Sequence, residues 1–272
     1  MSKIKLSILM ACYKEPYLEK VILDIFHQSR LGESLEIICI FDGEHPDPKT
    51  LIQDPRVRYI FLGANRGMRG SYNAGIALAR GEFFMRLDSH CIFGDGFDQI
   101  LTDDCGEKDI MTAKRYFLNP VEWKVMLDKG FVGAEKLVIQ NVSEGVRKFA
   151  GKRWDEKVKE MEGTPIFEVS AQQGSMWIAN RKFWLKTCGE LQTEGYGPLI
   201  QDSVEVSMKY WQAGGRLMMN HNTWYAHKER SFPRTHNNGT KENPSNDSAG
   251  YAYSLKQWES YYLDVIKPRF GI

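Results

Sequence analysis

The stretch Phe83-Phe84-Met85-Arg86-Leu87-Asp88-Ser89-His90 decides the fold. Its first five residues are mostly apolar and predict a buried strand, and the polar triplet Asp88-Ser89-His90 follows at once. A carboxylate and an imidazole two positions apart at a strand end can face the same cation. This mixture of oxygen and nitrogen suits a borderline divalent ion such as Mn²⁺. The triplet is therefore a candidate metal motif, with a pair of solvated loop side chains as the alternative.

The residues before this stretch alternate between strand-type and helix-type patterns. Apolar runs at 5–11, 36–41 and 57–62 predict strands, and apolar residues at helical spacing predict helices near 17–26 and 70–79. This alternation predicts an α/β fold with a mixed, mostly parallel sheet flanked by helices in a single domain. Ligands bind at the carboxyl ends of the strands in such sheets. Ala11-Cys12-Tyr13, Asp42 and Asp88-Ser89-His90 all fall at strand ends.

A second regular region begins near residue 166. Apolar runs at 167–170, 176–179, 216–219 and 224–227 predict strands, and 181–187 predicts a short helix. Gln201–Ser207 opens a further helix, with Asp202 or Ser203 suited to its N-cap and Gly214-Gly215 to its end. Residues 249–266 predict a last amphipathic helix.

The segment 94–165 is less regular. We interpret it as an insertion over the acceptor side, with a strand at 109–114 and charged helices at 121–126 and 142–161.

Composition excludes several classes of protein. The 272 residues suffice for one large domain, and Lys plus Arg (36) nearly balance Asp plus Glu (35), so no overall field favours nucleic acid. The five cysteines have no regular spacing, which is typical of a reducing compartment. The N-terminus passes directly into a strand, and no apolar run reaches about 18 residues. We therefore expect a cytoplasmic protein without membrane association.

The motifs resemble those of nucleotide-sugar glycosyltransferases with the GT-A (Rossmann-like) fold. The first ninety residues are similar to family 2 enzymes at Ile8–Glu15, at Asp42-Gly43, at Asn65-Arg66-Gly67 with Asn73-Ala74-Gly75, and at Ala79–Glu82. Three later motifs instead resemble polypeptide N-acetylgalactosaminyltransferases: the Asp-x-His of Asp88-Ser89-His90, the 202–215 helix with its Trp-Gln-x-Gly-Gly end, and His227 with Arg230.

The resemblance implies a domain plan and a metal site. A glycosyltransferase domain is expected over 1–248, comprising a nucleotide-binding part (1–93), the insertion (94–165) and an acceptor and catalytic part (166–248), followed by a C-terminal helix and tail (249–272). Asp88, His90 and His227 are expected to hold Mn²⁺ or Mg²⁺. The cation would neutralise the charge that develops on a departing nucleoside diphosphate.

The donor and acceptor residues follow from the same resemblance. For the UDP-sugar, of UDP-GalNAc or UDP-glucose type, we expect contacts from Ala11, Tyr13, Glu15, Asp42, Arg66, Arg69, Asn73, Asp88, Ser89, Gly174 and Arg230. Trp177 and Lys228 are expected on the acceptor side. Three alternatives stay open: a turn-forming Asp42, a solvated helix face for the residues between 66 and 73, and a core position for Trp177.

Asp202 is the candidate catalytic residue. If Asp202-Ser203 aligns with the family's catalytic pair, Ser203 stands at the position of the general base. No carboxylate is then present there, which favours retention of the anomeric configuration. If Gln201-Asp202 aligns, Asp202 is the general base of an inverting enzyme; the rest of the helix fits the first alignment better. The acceptor hydroxyl belongs to a hydroxylated DNA base, a protein Ser or Thr, or a glycan. A catalytically degenerate nucleotide-sugar-binding protein is the alternative function, since Phe41 replaces the usual first Asp and Gln201 stands in one alignment of the catalytic pair. A nucleotidyltransferase is disfavoured, because no Gly-rich phosphate loop follows the first strand.

Overall fold

A computed structural model describes residues 3–229 and 247–272 of the chain. Four apolar runs form parallel strands: β1 (Leu6–Cys12), β2 (Leu35–Asp42), β3 (Val57–Leu62) and β4 (Phe83–Leu87). Two helices connect them, α1 (Leu18–Gln28) and α2 (Gly67–Leu78). β3 and β4 have the predicted bounds, β1 and β2 agree within one residue, and α2 begins three residues earlier than predicted.

The rest of the chain adds further strands and short helices. In chain order they are β5 (Cys91–Phe93), α3 (Phe97–Asp104), β6 (Asp109–Asn119), β7 (Lys124–Val125), β8 (Phe131–Val132), β9 (Glu135–Ser143), β10 (Val146–Arg153), α4 (Asp155–Glu160), β11 (Ile166–Glu168), β12 (Met176–Asn180), α5 (Arg181–Thr187), α6 (Asp202–Gln212), β13 (Arg216–His227), α7 (Asp247–Tyr261) and α8 (Lys267–Phe270). A π-helical turn, Tyr262–Ile266, joins the last two helices.

One mixed sheet organises these elements. Its order is β11-β13-β6-β12-β4-β1-β2-β3, in which β1 lies parallel to both β2 and β4. β12 runs antiparallel between β4 and β6, whereas β13 is parallel to β6. The two strands predicted at 216–219 and 224–227 form the single strand β13, with an irregularity between Asn220 and Trp224. The mixed sheet flanked by helices confirms the predicted α/β class.

The side chains of the strands alternate between two apolar layers, as the two-residue period of a strand requires. On β1, Leu6, Ile8 and Met10 face a core shared with α1 and α3. Leu9 faces a second core shared with α2, α5 and α6. Both faces of the central strands are therefore covered, which explains why the predicted strands read as continuous apolar runs.

The structure of the segment 94–165 differs in part from the prediction. β6 lies inside the main sheet, and the predicted helix at 142–161 is mostly the β9–β10 hairpin, followed by the short helix α4. Leu137 and Phe149 are buried while most of their charged neighbours stay partly or fully exposed, and Gly145 makes the turn with a φ of 71°. The charged positions that suggested helices thus belong to the outer face of a two-stranded ribbon. The region predicted as a helix at 121–126 contains the short strand β7 instead.

The topology brings several strand ends to one edge of the sheet. β1, β2 and β4 are parallel, so their carboxyl ends lie together, and β13 arrives beside them by pairing His227 with Cys91 of β5. The backbone N–H of Lys228 also donates to the carbonyl of His90 at 3.1 Å. The end of β13 is therefore held against the Asp88-Ser89-His90 triplet.

None of the helices within the described ranges combines the length and apolarity needed to cross a membrane.

Asp24 on α1 offers a test of the packing. Its Oδ2 accepts from the backbone N–H of Phe93 at 2.9 Å, and burial raises its pKa to about 6. The pKa of Asp24 is higher in the folded state than in the unfolded state. Its contribution to the free energy of unfolding is therefore fully present below about pH 4 and is lost as the pH rises through 6. We expect Asp24→Asn, which keeps an acceptor oxygen, to raise the free energy of unfolding at pH 8 by about 1–3 kcal/mol. Urea unfolding at pH 4.5 and 8 measures this gain, which should shrink at the lower pH.

Asp54→Asn is the matched control with the opposite sign. Arg56 hydrogen-bonds Asp54 and lowers its pKa, so this substitution should cost stability at pH 8. Equal effects of the two substitutions at both pH values would contradict the assignment.

Candidate metal and donor site

A cavity of about 930 Å³ opens at the edge where the strand ends meet. Its wall contains eleven of the residues predicted from the sequence: Ala11, Tyr13, Glu15, Asp42, Asp88, Ser89, His90, Gly174, Asp202, His227 and Lys228. They come from the ends of β1, β2, β4 and β13, from the segment before β12 and from the start of α6. The parallel arrangement of the strands thus gathers residues that are far apart in the sequence.

Asp88, His90 and His227 form the candidate metal cluster. One ligand atom of each lies within 4.8 Å of the others, and His227 Nε2 is 3.3 Å from Asp88 Oδ2. His227 Nε2 is buried without a hydrogen bond from any residue that the structure describes. A buried nitrogen beside a carboxylate and a second imidazole fits a divalent cation, and this mixed oxygen and nitrogen set includes a ligand type that Mn²⁺ prefers.

The charges of this cluster favour metal binding. Burial opposes ionisation of Asp88, but the Arg86 guanidinium and the two imidazoles hold its pKa well below the usual range. Burial lowers the pKa of His227, although Asp88 partly opposes this. A metal ligand must be an ionised carboxylate or a neutral imidazole, and both residues are held in that form near neutral pH.

Glu15 orients His90. Its Oε2 lies 3.1 Å from His90 Nδ1, and its Oε1 accepts from the backbone N–H of Tyr17 at 3.1 Å. Nδ1 is therefore engaged, and Nε2 is the ring nitrogen left for a cation. Such carboxylate partners fix the tautomer and direction of a metal-binding histidine. The predicted contact of Glu15 with the donor stays a prediction.

Arg86 is the residue that the sequence interpretation missed. Its side chain is buried in β4, where Nη1 lies 3.0 Å from Asp88 Oδ1 and Nη2 lies 4.0 Å from Asp202 Oδ2. The contact with Asp88 is an ion pair whose angles do not meet those of a hydrogen bond. Arg86 Nε also has no hydrogen-bond partner among the described residues. Burial lowers the pKa of Arg86, but the two carboxylates raise it overall. A cation inside an otherwise apolar strand was the available signal, because a buried charge requires a partner.

Asp202 is the first residue of α6, and the predicted N-cap is wrong. Gln201 occupies that position in the left-handed region (φ 58°), and no side chain caps the helix. Gln201 Nε2 donates to the carbonyl of Phe149 at 3.1 Å, which anchors the turn. Asp202 thus lines the cavity opposite Arg86 instead of bonding to its own helix.

Asp42 is used to build the start of α2. Its two carboxylate oxygens accept from the backbone N–H groups of Arg66, at 2.6 Å, and Gly67, at 2.8 Å. Burial raises its pKa despite these bonds. This geometry matches the turn-forming alternative. A further contact between Asp42 and the donor stays a prediction.

Four predicted site residues do not line this cavity. Arg69 is fully buried and pairs with Glu205, while its guanidinium also donates to the Ile200 carbonyl at 2.6 Å. Asn73 makes paired hydrogen bonds with the backbone of Leu191. These side chains attach α2 to the 191–205 region.

The other two are Arg66, which is exposed outside the cavity, and Trp177. Trp177 is 2% exposed and packs against Phe84 and Trp184, so it is a core residue. Arg230 lies outside the described residues. Lys228 lines the cavity with its ammonium 5.7 Å from the Tyr17 ring.

We expect Glu15→Gln to weaken Mn²⁺ binding about 10- to 100-fold, because the amide orients His90 less strongly than the carboxylate does. Titration of free Mn²⁺ followed by electron paramagnetic resonance measures the affinity. Glu19→Gln, on the exposed first turn of α1, is the control and should leave the affinity unchanged. Equal affinities of the two variants would contradict the role of Glu15.

We expect Arg69→Met to lower the free energy of unfolding by about 3 kcal/mol, because the buried Glu205 would lose one of its two cationic partners and keep only the half-buried Lys209. Arg66→Met changes the same residue type on an exposed position three residues earlier, and should change stability by less than about 0.5 kcal/mol. Urea unfolding of both variants is the measurement. Similar losses for both would contradict the buried ion pair.

Comparison with known proteins shows the fold. The chain superposes on the solved structure of GalNAc-T7 with UDP, GalNAc and Mn²⁺ with a TM-score of 0.72 and 16% identity, over 97% of this chain and 50% of that chain. This likeness confirms the predicted GT-A fold. The succinoglycan biosynthesis protein ExoO of Rhizobium meliloti (strain 1021) is 43% identical over 61 residues, which cover 21% of this chain and 18% of ExoO. The chain thus spans half or less of the length of these two proteins.

The family is decided by a longer match. Residues 7–158 match the model for glycosyl transferase family 2, which is more than half of the chain. The matched region includes β1 to β4 and the Asp88-Ser89-His90 triplet, where the metal cluster begins. The chain therefore belongs to glycosyl transferase family 2.

Proposed function

We propose that the chain is a metal-dependent glycosyltransferase that moves a sugar from a UDP-sugar to an acceptor hydroxyl. The observation that carries the proposal is the meeting of Asp88, His90 and His227 in one cavity, with Arg86 joining Asp88 to Asp202. Family membership and the UDP, GalNAc and Mn²⁺ in the solved GalNAc-T7 structure support it.

The metal cluster would receive the diphosphate of the donor. Asp88, His90 and His227 supply one carboxylate and two imidazoles, which leaves coordination positions for phosphate oxygens. A bound Mn²⁺ would supply neutralisation of the negative charge on the leaving UDP. Ala11, Tyr13 and Ser89 line the cavity near these ligands and are proposed to contact the nucleoside. The sugar is proposed to be of the GalNAc or glucose type.

Asp202 is proposed to act beside the reacting carbon. The bond between the anomeric carbon and the phosphate oxygen breaks, and a bond from that carbon to the acceptor oxygen forms. Ser203 follows Asp202, so no carboxylate occupies the next position. We therefore propose retention, in which the acceptor proton passes to the leaving phosphate oxygen. Arg86, whose Nη2 lies 4.0 Å from Asp202 Oδ2, would hold that carboxylate turned toward the cavity.

We also propose a cytoplasmic location and the domain plan of a nucleotide-binding part (1–93), a middle part (94–165), an acceptor and catalytic part (166–248) and a C-terminal helix (249–272). The location rests on the five cysteines, which are all free and buried. In the plan, the nucleotide-binding part supplies Asp88 and His90, and the later part supplies Asp202 and His227.

Incubation with a panel of nucleotide sugars and mixed hydroxyl acceptors tests the proposal. We expect transfer with a UDP-sugar that requires Mn²⁺ and stops with EDTA. Asp202→Asn should lower kcat by about 10²- to 10³-fold, because the charge beside the reacting carbon is lost, while UDP affinity stays within about threefold. Asp103→Asn, on an exposed position of α3, is the matched control. Donor binding without any turnover by the unaltered chain would contradict the transferase and identify a nucleotide-sugar-binding protein.

The stereochemical outcome is tested on the same product. We expect the α-linked donor to give an α-linked product, visible as the small anomeric coupling in the proton NMR spectrum of a gluco- or galacto-configured sugar. A β-linked product would show that Asp202 acts as the general base of an inverting reaction.

A further inference from the structure

The cavity extends past the metal cluster to a second polar pair. Arg115 on β6 and Glu135 at the start of β9 both line it, as does Gln172. In the sheet register Arg115 pairs with Tyr225, two residues before His227. The pair thus lies along the wall that leads away from the metal cluster toward the β9–β10 hairpin. The reaction proposed above uses neither residue.

The contact between the two charges is loose. Arg115 Nη2 lies 3.8 Å from Glu135 Oε1, which is too long for a hydrogen bond. Arg115 Nε is buried and has no hydrogen-bond partner in the described part of the chain. The guanidinium therefore keeps unused donors at the cavity wall.

Glu135 is equally unsatisfied. Its side chain is 14% exposed, and no described residue donates a hydrogen bond to its carboxylate. Gly151 leaves the space that the carboxylate occupies, since a Cβ there would come within 3.0 Å of Glu135 Oε2. Burial raises the pKa of Glu135, with only Arg115 opposing. A mostly buried carboxylate without protein donors is costly, and a hydroxyl group of a ligand would supply a donor.

Gln172 connects this pair with the reacting end of the cavity. It is 5% exposed, and its Oε1 is buried with no partner in the described ranges. Its Nε2 lies 3.4 Å from the carbonyl of Ser203, the residue after Asp202. Gln172 therefore offers a polar contact between a ligand held by Arg115 and Glu135 and the start of α6.

The pair has the chemistry of a site for adjacent hydroxyl groups. Arg115 only donates hydrogen bonds, ionised Glu135 only accepts them, and each sugar hydroxyl does both. A nucleic-acid acceptor would bring phosphates toward Glu135, which like charge disfavours. The observations therefore favour a carbohydrate among the three acceptor classes.

We propose that Arg115 and Glu135 bind the acceptor, and that this acceptor is a sugar with adjacent hydroxyl groups. The inference rests on the proposed function and deepens it to the transfer of a sugar onto a glycan. Arg115 and Glu135 hold the acceptor ring, and one of its hydroxyls reaches the anomeric carbon beside Asp202.

Ligand-observed NMR tests this on the full chain with Mn²⁺ and UDP present. The probes are methyl β-glucoside, methyl β-galactoside, a Ser/Thr peptide and a hydroxymethylated DNA oligonucleotide. We expect a methyl glycoside to bind, and Glu135→Gln and Arg115→Gln each to weaken that binding at least tenfold. UDP affinity with Mn²⁺ should stay within about threefold in both variants, which also shows that they are folded.

Glu168→Gln is the matched control, because Glu168 pairs with Arg269 outside the cavity, and it should bind the glycoside as the unaltered chain does. Unchanged glycoside binding in both cavity variants, a parallel loss of UDP affinity, or binding of only peptide or DNA would overturn the inference. If the unaltered chain binds UDP with Mn²⁺ but no glycoside, this inference fails alone. If it does not bind UDP, the proposed function fails and this inference fails with it.

Discussion

A single guanidinium inside the sheet sets the arrangement of the site. Arg86 belongs to the buried strand β4, and burying its charge is unfavourable unless anions surround it. Asp88, two residues later, and Asp202, at the start of α6, provide them. One oxygen of Asp88 faces Arg86 and the other faces His227, so the strand, the metal cluster and the helix share one electrostatic constraint.

Other polar groups divide into those that build the cavity and those that line it. Asp42 accepts hydrogen bonds from the backbone at the start of α2, and Arg69 joins that helix to Glu205 of α6. Glu15 holds His90 in place. These contacts are made far from one another in the sequence, and they hold fixed the loops that follow the strands. Two buried atoms without hydrogen-bond partners in the described ranges, His227 Nε2 and Arg115 Nε, belong to residues of the cavity wall that we propose to bind a cation and a ligand.

Much of this was predictable from the sequence, because strand ends in a parallel sheet meet at one edge. The periodicity of the apolar residues predicted β1 to β4, and the Asp88-Ser89-His90 triplet predicted where the metal cluster begins. The direction in which a side chain points was harder to predict than the helix or strand on which it lies. Arg69 and Asn73 lie on α2 as expected, but their side chains turn toward the 191–205 region, which only tertiary packing decides. The pattern at 142–161 predicts a helix where the structure has part of the β9–β10 hairpin and α4, because the exposed face of the hairpin is as rich in charge as a solvated helix.

The hairpin β9–β10 has a consequence for how such proteins diversify. In the described ranges it forms a sheet of its own, and its isolated bridge from Glu135 reaches Ala171, which lies between β11 and β12 and outside the main sheet. The exposed end of this ribbon around Gly145 can therefore change in length or sequence without shifting the strand register of the central sheet, whereas the buried Leu137 and Phe149 belong to the core. Lineages that descend from one ancestor would then diverge in what they recognise while inheriting the same chemistry.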